Sequence, residues 1–135
     1  MGKVGPRKLA AVCYDHIGGA LGESLYDVLV RKAWVKGDSG ELRVTVKGRR
    51  ELAALGVSVD QLDSGARKPV NACVERHAGM FYAHIGSHLG SLLAAALVER
   101  GWLERSGREF HVTPSGRRGF RRLGVKLSSS RSLGQ

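Results

Sequence analysis

The chain has 135 residues, 42% hydrophobic and 25% charged, with 22 Lys plus Arg against 12 Asp plus Glu and a formal net charge of +10. That is one small domain, or two half-sized units sharing a core, and the ordinary apolar fraction excludes collagen-like, mucin-like and disordered classes. No apolar run approaches the roughly 18 to 20 residues of a membrane span, and the opening MGKVGPRKLAAVC is too poor in apolar residues for a signal peptide, so no membrane partner and a cytoplasmic location are expected. Cys13 and Cys73, sixty residues apart, cannot build a disulfide scaffold and are expected as free thiols or ligands. A basic excess on a chain able to bury a core makes nucleic acid the first partner to consider.

Laid on itself at an offset of 68 residues, the sequence places Tyr14 to Val57 on Tyr82 to Val125 without a gap. Nineteen of the forty-four pairs are identical, where composition alone gives about three, so a structural unit is expected to occur twice. In each copy apolar residues first recur at spacings of three and four: Ile17, Leu21, Leu25, Val28 and Leu29, then Ile85, Leu89, Leu92, Leu93, Ala96 and Leu97. This predicts an amphipathic helix, with Asp15 as the N-cap of the first. The glycines at 18, 19, 22, 86 and 90 predict a bend or a close helix contact.

After Trp34 and Trp102 the period changes to strand, turn, strand. Val35-Lys36, Asp38-Ser39-Gly40 and Leu42-Arg43-Val44 are matched by Leu103-Glu104, Ser106-Gly107 and Phe110-His111-Val112. The tryptophans, equivalent in the two copies, are expected to pack in the core rather than stack on bases. Thr45 and Thr113-Pro114 then read as helix starts, and Gly56 and Gly124 as the stops of a short helix. Residues 58–70, with Asp63-Ser64-Gly65 and Pro69, read as a linker; 71–80 allows a further short helix; the polar 128–135 reads as a frayed tail.

The runs ALVERGWLER and VTPSGRRG in the second copy are similar to the helix, wing and following helix start of winged-helix regulators. From near Leu9 to Leu127, with CYDHIGGALGESLYDVLVRKAWV and HIGSHLGSLLAAALVERGWLERSGREFHVTPSGRRGFRRLG, the chain resembles the C-terminal half of ArsR/SmtB-type bacterial transcriptional regulators. The resemblance implies an α+β fold of tandem duplicated winged-helix-like units, each a long helix, a two-stranded β-hairpin wing and a short helix. It divides the chain into a first repeat over 1–57, a linker over 58–70, a second repeat over 71–127 and a disordered tail over 128–135. The copies are expected to be related by a pseudo-two-fold, long helices together and hairpins outward. Family members are cytoplasmic, dimeric, DNA-binding repressors, some responsive to metals or thiol reagents. Two departures stand out. Only a dozen residues precede Cys13, so the family's usual N-terminal DNA-binding domain is expected to be missing. Between Gly22 and Trp34 only eleven residues intervene, enough for one bent helix but not for a helix-turn-helix.

The first 67 residues hold 11 basic and 8 acidic residues (+3), the remaining 68 hold 11 and 4 (+7), so the excess lies in the second copy. Arg117, Arg118, Arg121 and Arg122 fall on adjacent faces of the second short helix, Lys126 lies just beyond, and no acidic residue follows Glu109. Arg105 and Arg108 flank the second wing turn. Phosphates would relieve the mutual repulsion of such a cluster, and these seven residues are the candidate contacts to duplex DNA; the alternative is a solvated face. Arg49 and Arg50 repeat the motif but are diluted by Glu51, Glu41 and Asp38.

A second set is Cys13, His16, Cys73, His77, His84, His88 and His111. If helical, Cys13 with His16 and Cys73 with His77 stand one turn apart, a geometry suited to a thiophilic metal ion, the only cofactor these residues suggest. His84 and His88 form an i, i+4 pair. Against a metal stands the alignment, which puts Cys13 on Phe81 and matches His16 to His84, as fold residues would be. Neither Ser106-Gly107 nor Ser115-Gly116 forms a phosphate loop or nucleophile elbow, and no catalytic constellation is present, so no enzyme is expected. The expected function is a DNA-binding transcriptional regulator, ArsR-like and homodimeric. The alternative is a dimerisation or effector-binding accessory module, without its own DNA contact, that acts on a full-length paralogue.

Overall fold

The computed structural model describes residues 9–10, 12–13, 16–38, 41–58, 60, 72–77 and 80–127; most of the expected linker and the whole of the expected tail lie outside them. Among the described residues, two-stranded antiparallel ribbons alternate with helices. Strands β1 (Val12–Cys13) and β2 (His16–Ile17) precede helix α1 (Gly19–Arg31), strands β3 (Val35–Asp38) and β4 (Glu41–Val44), and helix α2 (Val46–Leu55). The same order follows as β5 (Ala72–His77), β6 (Met80–Ile85), α3 (Ser87–Glu99), β7 (Leu103–Ser106), β8 (Glu109–Val112) and α4 (Pro114–Leu123). From the long helix onward, every boundary recurs 68 residues later. The fold is α+β with winged-helix-like units, and each half has one 13-residue long helix.

Three expectations about how each half begins are corrected. Ile17 and Ile85 end strands rather than open helices, and the helices start two residues later, after Gly18 and Gly86 in extended backbone. A spacing of four from Ile17 to Leu21 suits a helical face, yet it is equally met by a strand end followed by a helix, so periodicity alone could not separate the two. The N-cap of α1 is therefore Gly18, without a side-chain cap, and not Asp15, which lies outside the described residues. Residues 72–77 and 80–85 form a ribbon, not the short helix allowed over 71–80. Val74, Phe81 and Tyr82 are of the residue types that favour a pleated strand.

The remaining local signals hold. The hydroxyl oxygens of Thr45 and Thr113 each accept the amide of the residue three further on, Gly48 and Gly116, both at 2.9 Å. Both short helices end in a left-handed glycine, Gly56 at φ 103° and Gly124 at φ 86°. The pair of bonds that closes these ends, Gly124 N–H to Arg121 O and Val125 N–H to Phe120 O, is the Schellman arrangement. It also closes α1 and α3, where the left-handed position is Ala33 (φ 60°) in one half and Gly101 (φ 84°) in the other.

One core runs through both halves: Leu21, Leu25, Leu29, Val35 and Leu52 from the first, Leu89, Leu93, Leu97, Leu103 and Phe120 from the second. Each fully buried leucine contributes about 1.5–3 kcal/mol of transfer free energy before entropy is set against it. The long helices meet through the strands: α1 packs on β6 and α3 on β2. Glycine makes this approach possible. A Cβ on Gly22 would lie 2.2 Å from the Ile17 carbonyl oxygen and 3.1 Å from Cβ of His84; one on Gly90 would lie 2.5 Å from the Ile85 oxygen and 2.9 Å from Cβ of His16. The second wing is not free-standing. The Phe110 amide donates to Ala10 O at 2.8 Å and the Val12 amide to Arg108 O at 2.9 Å, so Ala10 and Val12 lie along the outer edge of β8.

Candidate nucleic-acid interface

Helix α4 has two faces with different work. Gly116, Gly119 and Phe120 are buried. Gly116 sits so close to the Trp102 backbone that a Cβ there would lie 2.1 Å from its carbonyl oxygen, and Gly119 lies under the Trp102 indole, whose ring atoms would be 2.2 Å from an added Cβ. Trp102 meets Phe120 edge to face with ring centres 5.1 Å apart, and the Arg100 guanidinium lies 5.6 Å from the indole centre. Both tryptophans therefore pack as expected: Trp34 is buried and Trp102 half-buried.

With that face committed to packing, the 3.6-residue period leaves 117, 118, 121 and 122 on the opposite side. All four arginines are exposed, as are Arg105, Arg108 and Lys126. No carboxylate interrupts the chain from Phe110 to Lys126. Among the described residues, none of the seven is held in an ion pair. Arg105 and Arg108 stand at the β7–β8 turn, where Arg105 Nε donates to Gly107 O at 3.3 Å; the side chain also lines a shallow groove along α3 with Ser91, Val98 and Glu99. Arg108 is held through its carbonyl by Val12. Lys126 is brought beside Glu23 and Asp27 of α1, its own amide donating to Ser24 Oγ at 2.8 Å. The arrangement thus presents four exposed guanidiniums on one helix, with Arg105 and Arg108 at the wing turn and Lys126 beyond the helix end. Such an array suits phosphate oxygens, to which guanidinium forks donate paired hydrogen bonds.

The candidate ligands are placed differently from the helical spacing assumed for them. Cys13 and His16 lie on β1 and β2, and Cys73 and His77 both lie on β5, so neither pair is one helical turn apart. His84 ends β6 while His88 is on α3 beyond Gly86, so they do not share a helical face. Only backbone positions are described for Cys13, Cys73 and His77. Register supplies what spacing concealed: Cys13 is opposite His16, Cys73 is opposite His84, and His77 is at the far end of its ribbon, opposite Met80. The two cysteines therefore occupy matching positions relative to their histidines, although a gapless alignment puts Cys13 on Phe81. The second ribbon carries ten residues between Cys73 and His84 where the first carries two between Cys13 and His16, and that eight-residue difference hid the correspondence.

No helix among the described residues is long and apolar enough to cross a membrane. Neither a protein-family model nor a solved structure matches the chain. Over 121 residues, 87% of its length, it is 28% identical to the Bacillus subtilis (strain 168) protein named uncharacterized HTH-type transcriptional regulator YdfF. The chain spans about half of that relative, 53% of its length, and the similarity supports a regulator-like relationship.

Proposed function

We propose that the chain is a DNA-binding transcriptional regulator of ArsR-like type that holds duplex DNA through its phosphates. The observation that carries the reading is the α4 face: Arg117, Arg118, Arg121 and Arg122 are exposed and without ion-pair partners on a helix whose other side is locked under Trp102. Arg105, Arg108 and Lys126 extend the contact at its flanks. The similarity to a protein named as an HTH-type regulator supports the same role. The contact is expected to position rather than to read, because the arginines are grouped on one short helix and, among the described residues, each half contains one long helix. A homodimer, or a pairing with a full-length paralogue, would supply further contacts.

Fluorescence anisotropy with duplex DNA at several salt concentrations tests this. Each neutralised phosphate contributes roughly 0.9 to the slope of log affinity against log salt, so replacing the four α4 arginines with alanine should lower that slope by about 3 to 4. Unmeasurable affinity of the unaltered protein at low salt, together with a stable dimer or paralogue complex, would overturn the proposal in favour of an accessory module.

A further inference from the structure

Between α3 and the second wing runs a groove of about 330 Å³, lined by Ala94, Ala95 and Val98 of the helix and Phe110 of β8, with Glu99 and Arg105 as charged groups at its sides. Ala94 and Phe110 are buried in its floor, while Ala95, Val98, Glu99 and Arg105 are exposed. An apolar lining with a few convergent polar groups is the composition of small-molecule sites, whose volumes begin at about 300 Å³. Arg105 turns its Nε to the Gly107 carbonyl oxygen at 3.3 Å, which leaves the two terminal amino groups of the guanidinium for an incoming carboxylate.

The first half points to what suits this space. At the 68-residue offset of the elements, Tyr26 of α1 stands where α3 has Ala94, and Leu42 stands where β8 has Phe110. Tyr26 is half-buried and packs against the core. Beside it the Asp27–Arg31 ion pair occupies the positions of Ala95 and Glu99. Gly37, without a side chain, stands where the second wing has Arg105. The first half thus carries its own aromatic ring and no cation at this place, and the second carries a cation and no ring.

We propose that this groove binds a small aromatic carboxylic acid, its ring against Ala94, Ala95, Val98 and Phe110 and its carboxylate on Arg105. One six-membered ring is the piece that the exchange of Tyr26 for Ala94 leaves out, and a ring on an apolar floor gains by burial without needing a polar partner of its own. Glu99 repels a second carboxylate and accepts a hydrogen bond from a ring hydroxyl, so a hydroxylated monoacid fits better than a diacid. The site does not depend on the DNA-binding reading. One consequence does: Arg105 is also a candidate phosphate contact, so acid and duplex compete for one guanidinium, and each lowers the affinity of the other by the same factor.

Titration of the full chain with para-hydroxybenzoate, followed by amide chemical shifts in NMR spectra, tests the site. The expected result is saturable one-to-one binding with a Kd below about 1 mM and shift changes concentrated at Ala95, Val98 and Phe110. Arg105→Gln should weaken that binding roughly tenfold, as loss of a charge-assisted hydrogen bond does, and should leave para-cresol, which has the ring without the carboxylate, unaffected. Ala94→Tyr, which copies the first half into the second, should abolish binding of both compounds. Lys36→Ala, a cation removed outside the groove, should change neither. The inference is overturned if the unaltered protein does not saturate, if Ala94→Tyr binds as the unaltered protein does, or if Lys36→Ala costs as much as Arg105→Gln, which would mean diffuse attraction of anions. A thermal melt shows whether Ala94→Tyr is folded, and Arg105→Gln, at an exposed position, decides the matter if it is not. Duplex titrations with and without the acid separate the two readings: a chain that binds the acid but no DNA keeps the site and loses the DNA-binding reading, and DNA affinity unchanged at saturating acid overturns the competition at Arg105.

Discussion

The two short helices start and stop alike but carry different surfaces. In α2, Gly48 lies against the Trp34 carbonyl as Gly116 of α4 lies against that of Trp102, and both helices have the same threonine cap and left-handed glycine stop. Outside this frame they diverge. Glu51 stands where α4 has Gly119, and the exposed Ala53 and Ala54 stand where α4 has Arg121 and Arg122. In the second half the indole lies over the helix at Gly119, and there the exposed positions 117, 118, 121 and 122 are all arginine. A shared frame thus holds its geometry while one half keeps a neutral or mixed surface and the other a cationic one. Surface positions can change this way because they carry little of the folding free energy.

The largest effect is expected where the halves agree. Gly48→Ala and Gly116→Ala would each force a methyl group to within about 2 Å of a backbone carbonyl oxygen that has no room to retreat. Each should cost about 3 kcal/mol or more, lowering Tm by roughly 10 °C in a thermal melt. Gly119→Ala meets the indole ring, which can tilt, and should cost less; equal losses at 116 and 119 would show that Trp102 is as immobile as backbone. Where the halves differ, binding should differ. Alanine at Arg117, Arg118, Arg121 and Arg122 should remove a salt dependence that amounts to roughly 150-fold in affinity between 50 and 200 mM salt. Alanine at Arg49 and Arg50 should change affinity by less than about threefold. The reverse graft, Ala53→Arg with Ala54→Arg, should steepen the salt slope by up to about 1.8, provided α2 faces the same duplex.

A smaller, purely conformational contrast lies at the end of the long helices. Ala33 adopts the left-handed conformation that Gly101 adopts in the second half. Nothing stands within 4 Å of a Cβ placed on Gly101, so the exchange is a backbone effect alone. Ala33→Gly should raise stability by about 1 kcal/mol and Gly101→Ala should lower it by a similar amount in denaturant titrations. Changes of the same sign would mean that the two turns are not equivalent. The smallest effect is expected at the Asp27–Arg31 ion pair, 2.8 Å long, with both side chains more than half exposed. Asp27→Asn should shift stability by no more than about 0.5 kcal/mol, within reach of a chemical melt at low salt only.

Much of the second half was legible in advance. Thr113-Pro114, Gly124 and the change of period after Trp102 are signals that act within a few residues, so they survive any tertiary context. The arginine face was legible for the same reason, since helical geometry orders positions 117 to 122 once the helix is placed. The starts of the long helices were misread because Ile17 and Ile85 satisfy two periods at once, and the glycine that decides between them acts through backbone conformation. The helical spacing expected of Cys73 and His77 does not occur, because residues 72–77 form a strand in which Cys73 stands opposite His84 and His77 opposite Met80.

The sequence by itself therefore determined the order of helices and wings from α1 onward, the caps and stops of the two short helices, and the cationic face of α4, all of which depend on neighbours within one or two turns. Tertiary structure alone decided the register that sets Cys13 against His16 and Cys73 against His84, the meeting of the two imidazoles, and the pairing of Ala10 and Val12 with the edge of the second wing. The meeting of the imidazoles and the edge pairing join positions 68 to 100 residues apart, whereas the ribbon registers span only three and eleven residues. Backbone hydrogen bonds of this kind are nearly indifferent to side-chain identity, so they leave no local trace in the order of amino acids.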